Sequence, residues 1–84
     1  MKESLLEMEG VIIEDTGPKP YTVEGRSGVS RKIVIRRSVG RDLEFKANPE
    51  FDFKQYVGEN VVLLLSISPL KDSAYRLVAE SVRE

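Results

Sequence analysis

The 84-residue chain carries 13 Lys and Arg against 14 Asp and Glu, a net charge of −1, and it has neither Cys nor His. This excludes disulfides, thiolate nucleophiles, zinc sites built on sulfur or imidazole, and the usual neutral-pH acid–base residue, so no cofactor is expected. The length allows one domain with one modest core, read as a single unit over residues 1–84.

In chain order, Ser4 and Glu7 fit a helix capping box, but Gly10 would limit that helix to about two turns. The better reading is a strand from Leu6 to Glu14, with Leu6, Met8 and Ile12 on one face and a bend at Gly10 that lets one strand serve two sheets. Asp15-Thr-Gly-Pro-Lys-Pro20 is a breaker and reads as a surface loop. Tyr21-Thr-Val resumes β-type residues, and Glu24 to Gly28 reads as a turn or hairpin tip. Val29 to Arg37 is a strand with Ile33 and Ile35 inward and Lys32, Val34 and Arg36 outward. Arg31 and Arg37 share the isoleucines' parity and are assigned to the strand's frayed ends.

A half-buried strand follows from Asp42 to Ala47, with Leu43, Phe45 and Ala47 on the apolar face. Asn48-Pro49 reads as a helix start, and Gly58 as the left-handed cap that ends it; Phe53 and Val57, four apart, would share the buried face. Glu59 to Ser68 is apolar on both faces and therefore central. Pro69 to Ser73 is a turn, and Ala74 to Val82 the last strand. Three strands, a short helix and two more strands is the order of an OB-fold, so the expected class is all-β with one short helix, a five-stranded OB-like small barrel.

Charge is distributed unevenly along this scaffold. Residues 26–46 hold seven Lys and Arg against two acids, a net +5, while residues 1–25 and 47–84 are net −4 and −2. A local field of one sign attracts a polyanion even on a nearly neutral protein. Catalysis is not expected, because the carboxylates are dispersed, no Ser precedes a plausible base, and the glycines form no phosphate-cradling turn. Arg26, Arg31, Lys32, Arg36, Arg41 and Lys46 are the candidate phosphate contacts. Tyr21 is the first candidate for stacking a base, with Tyr56 and Tyr75 next. The competing explanation is that these charges solvate a strand edge and prevent aggregation.

The segment Arg26-Ser-Gly-Val-Ser-Arg31 resembles the basic hairpin of the single-stranded-DNA-binding proteins of filamentous phage. That resemblance, six residues long, implies Arg26 and Arg31 as DNA contacts. The early Gly, the basic second strand and Tyr56-Val-Gly-Glu-Asn-Val61 are similar to small phage and bacterial single-strand-binding OB modules. The expected function is binding of single-stranded DNA, with RNA not distinguished, by a homodimer and with little sequence preference. The alternative is a protein-interaction or structural assembly module. A small secreted domain normally needs staples, so an intracellular or viral origin is expected, and the resemblance implies the cytoplasm of a bacterial or phage-infected host. The longest apolar run, Val61 to Leu65, is far short of the ~20 residues of a membrane span, and no signal peptide is read at the amino terminus.

Overall fold

The computed structural model describes residues 5–70, 72 and 74–83; Ser4, Lys71 and Ser73, which belong to the capping-box and turn readings above, lie outside them. The described strands are β1 (Leu5–Asp15), β2 (Lys19–Val23), β3 (Arg26–Ser30), β4 (Lys32–Arg36), β5 (Leu43–Ala47), β6 (Asn60–Pro69) and β7 (Tyr75–Val82), with a 3-10 turn at Phe53–Tyr56 between β5 and β6. Five of them close into a barrel in the order β1-β4-β5-β7-β6, and β2 and β3 form a separate two-stranded sheet. The β5–β7 contact is parallel and the other barrel pairs are antiparallel. The fold is thus the expected all-β, OB-like small barrel, with a hairpin inserted between its first two strands.

Alternation builds the core. Ile33 and Ile35, Leu63 and Leu65, Ile12 and Phe53 are fully or almost fully removed from solvent, with Ala47, Val61, Ala79 and Val82 around them. β1 serves both halves of the barrel, pairing with β6 over Leu5–Val11 and with β4 over Val11–Asp15. The irregularity falls between Ile12 and Glu14, not at Gly10. Gly10 instead permits close approach, since a Cβ there would meet Ile35 Cγ1 at 2.7 Å and the Arg36 carbonyl oxygen at 2.8 Å. Gly10→Ala is therefore expected to cost about 1–3 kcal/mol in chemical denaturation, because a backbone atom cannot rotate away; an unchanged midpoint would show that the β1–β4 crossing is loose.

Several segments differ from their expected form, among them Lys19 and Pro20, which begin β2 rather than lying in a loop. Val29–Arg37 is not one strand: the chain breaks at Arg31, leaving β3 in the hairpin and β4 in the barrel. Arg26 to Gly28, expected in a turn, are paired strand residues. The turn is Glu24-Gly25 alone, with φ of 51° and 77°, the doubly left-handed form that matches strand twist.

The expected helix after Asn48 is only the 3-10 turn. Carbonyls of its first turn are diverted, because Arg31 Nη1 donates to the oxygens of Pro49 and Phe51. Asn48 is drawn to β7, its N–H donating to the Ala79 carbonyl at 2.7 Å. Asp52 caps the turn by accepting from the Lys54 N–H. Phe53 is buried but Val57 is exposed; the ring that packs with Phe53 is Phe51, at a centroid distance of 4.7 Å. Gly58 does take the left-handed conformation, φ 93°, and its N–H donates to the Ile12 carbonyl at 2.7 Å.

Candidate nucleic-acid interface

The hairpin overhangs the outer face of the barrel beside β5 and β7. Between them runs a groove of about 480 Å³ whose lining includes Tyr21, Val23 and Ser30 from the hairpin and Lys32, Lys46, Arg76 and Val78 from the barrel. In an OB-type barrel the second and third strands form the usual ligand face, flanked by the first connecting loop. Here those elements are β4, β5 and the β2–β3 hairpin.

Register fixes which side chains gather there. Lys32 is directly across from Lys46, and Lys46 is beside Val78. On the hairpin, Lys19 is across from Ser30, Tyr21 from Gly28 and Val23 from Arg26, so the two-residue period puts Lys19, Tyr21, Val23 and Arg26 on one face. Tyr21 is 47% exposed, and its ring lies over Gly28: a Cβ there would sit 2.6 Å from the Tyr21 hydroxyl oxygen and 2.7 Å from Cζ. The absent Gly28 side chain lets one ring face rest on backbone.

The seven cations of the basic stretch are divided by their partners. Arg26, Lys32 and Lys46 are exposed at the hairpin and groove. Arg31, expected among the exposed contacts, is instead buried. Its Nε donates to Asp15 Oδ1 at 2.9 Å and its Nη2 to Oδ2 at 2.7 Å, with Asp52 Oδ1 3.6 Å away and the Phe53 ring centroid 5.8 Å from Cζ. Its parity with the isoleucines was an inward position after all, occupied because Asp15 provides the counter-charge. The hydrogen bond from Arg31 holds the Asp15 carboxyl below the usual carboxylate range, helped by the Gly17 N–H and opposed by burial. The same bond to Asp15 raises Arg31 above the ordinary guanidinium value.

Arg36 is exposed as expected, but Nε and Nη2 are both engaged by Asp42, at 3.0 Å each. Their hydrogen bonding raises the Arg36 pKa and lowers that of Asp42. Arg37 curls over Gly40, where a Cβ would lie 2.8 Å from its Nη2. Arg41 is exposed in the β4–β5 connection, away from the groove lining. Arg31 and Arg36 are therefore neutralised by acids, while Lys32 and Lys46 have no ion-pair partner among the described residues.

Protein-family models, curated proteins and solved structures give no match to this chain. The groove's own chemistry has to identify its ligand. Among the described residues, no cluster of three Asp or Glu could hold a metal ion, and no helix is long and apolar enough to cross a membrane. Arg76 and Lys19 are additions to the expected contacts. Arg76 could be found from the OB strand order, which makes the last strand a neighbour of the third. Tyr75 is exposed beside Ile67 and Leu77, away from the groove lining, and Tyr56 packs with Phe51 at 6.0 Å between ring centroids.

Proposed function

We propose that this protein binds single-stranded nucleic acid, with DNA as the ligand, along the groove between the hairpin and the β4–β5–β7 face. The observation that carries the reading is the groove itself: Lys32, Lys46 and Arg76 line it with no carboxylate among the lining residues, beside an exposed Tyr21 ring. Cations supply affinity by releasing counterions, and an aromatic face accepts any base, so sequence preference is small. The resemblance of Arg26–Arg31 to the phage DNA-binding hairpin supports the same face for Arg26. Arg31 acts there only by fixing the base of the hairpin, and Arg36 and Arg41 lie outside the groove lining.

Five phosphate contacts, from Lys19, Arg26, Lys32, Lys46 and Arg76, give a slope of about −3.5 in log affinity against log salt for a single strand. Oligo-dT is therefore expected to bind about a hundredfold more weakly at about 200 mM salt than at about 50 mM. Salt-independent or absent binding would sink the reading.

A second surface favours self-assembly. Ile67, Tyr75 and Leu77 line an apolar depression of about 450 Å³, and Tyr75 is 69% exposed with Leu70 also open. Contiguous exposed apolar surface of this kind marks interaction sites. The proposed homodimer uses it, in the cytoplasm of a bacterial or phage-infected cell. Sedimentation of a Tyr75→Asp variant as a monomer, against a dimeric parent, is the outcome this predicts. If the assembly reading held without DNA binding, the salt titration would be flat while the dimer persisted.

A further inference from the structure

Two exposed arginines of the barrel are matched by acids: Arg36 by Asp42 and Arg83 by Glu7. The groove is different. Lys32 and Lys46 face each other directly across the β4–β5 ladder, where like charges repel. Arg76, two residues before the Val78 that neighbours Lys46, lines the same groove, and no acid does. Among the described residues, none of these three side chains makes a hydrogen bond or an ion pair. The free protein gains nothing from this placement, whereas a multiply charged anion seated between the three would.

We infer that Lys32, Lys46 and Arg76 form a single phosphate subsite beside Tyr21, and that the groove takes one nucleoside monophosphate unit, its phosphate on the three cations and its base against the Tyr21 ring. The inference rests on the nucleic-acid reading and narrows it: with three cations on one phosphate a strand meets three phosphates rather than five, and the salt slope falls from about −3.5 to about −2. A groove of about 480 Å³ falls within the range of small-molecule sites, which is about 300–1,000 Å³. Three cations outmatch the single charge of a phosphodiester and suit a terminal phosphate, which carries about −1.5 to −2. The ligand is thus a free mononucleotide or the phosphorylated end of a strand.

The test is an NMR titration of the full chain with dTMP, thymidine and inorganic phosphate, alongside oligo-dT with and without a 5′-phosphate. Saturable dTMP shifts at Tyr21, Lys32, Lys46 and Arg76, tighter by about tenfold or more than with either fragment, are expected, because thymidine lacks the charge-assisted contacts and inorganic phosphate lacks the base stack. Phosphorylated oligo-dT outcompeting the unphosphorylated strand would assign the site to strand ends; equal competition with tight dTMP binding would assign it to the free nucleotide. Lys46→Gln should weaken dTMP while raising the melting temperature of the free protein, because it removes the repulsion; Lys32→Gln should do the same. Oligo-dT binding with no dTMP shift in the groove overturns the subsite and leaves the strand reading intact. Absent oligo-dT binding with groove shifts by dTMP overturns the strand reading instead. A Lys46→Gln variant with lower melting temperature and unchanged dTMP affinity also overturns the subsite.

Discussion

Arg31→Ala is expected to destabilise the protein by about 3–5 kcal/mol, measured by urea unfolding at neutral pH. The Arg31 and Asp15 side chains are 5% and 1% exposed, so removing the guanidinium leaves a carboxylate in the barrel wall without its counter-ion. The Pro49 and Phe51 carbonyls lose their donor in the same step. For a domain whose whole stability is of order 5–15 kcal/mol, such a loss is large. Changing both partners, as Arg31→Met with Asp15→Leu, should recover part of it, since an apolar pair leaves no charge stranded. Recovery stays incomplete because Asp15 Oδ1 also accepts from the Gly17 N–H. The pH dependence has a definite sign. Asp15 is lowered in the folded state, so its contribution is present above the unfolded carboxyl value of about 3.9 and fades as pH falls through the lower folded value. The gap between parent and Arg31→Ala should therefore narrow below about pH 4. A loss under about 1 kcal/mol, the range of exposed ion pairs, would show that the hairpin base is held by something else.

The same residue shows what the sequence could and could not convey about the fold. Barrel strands are legible because one face is buried and the period is two, as in Ile33/Ile35 and Leu43/Phe45/Ala47. The break at Arg31 is illegible locally, since Val29 to Arg37 has continuous strand character. It arises from Asp15 and from the carbonyls of residues 49 and 51, partners distant in sequence. The missing helix has the same origin: Asn48-Pro49 is a sound local start, overridden when Arg31 and β7 take the groups that would have built it. At the hairpin, Glu24-Gly25 forms a turn that Asn-Gly would have announced plainly.

For the groove, Lys32, Lys46 and Tyr21 follow from parity and loop position. The outward position of Arg36 follows from parity, but its pairing with Asp42 depends on how the β4–β5 connection folds back. Arg76 is isolated from the basic stretch along the chain and joins it only through the β5–β7 pairing. Local charge marks the stretch that borders the groove, and tertiary pairing decides that Arg31 and Arg36 within it are neutralised.

Tyr21→Ala is expected to weaken oligo-dT binding by about 1–3 kcal/mol, roughly 5- to 150-fold in dissociation constant, the cost of losing one base stack. At 47% exposure the ring contributes little to the core, so the unfolding midpoint should move far less than the affinity. Tyr21→Phe keeps the ring and should bind nearly as well as the parent. Gly28→Ala leaves the ring present but displaces it, because the new Cβ would fall 2.6 Å from the hydroxyl oxygen; its affinity should lie between those of Tyr21→Phe and Tyr21→Ala. The salt slope separates stacking from charge. Removing an uncharged ring leaves the slope unchanged, whereas removing one phosphate contact, as in Arg26→Gln, reduces its magnitude by about 0.7. A Tyr21→Ala variant with parental affinity would place the bases elsewhere on the barrel and reduce the hairpin to an electrostatic guide.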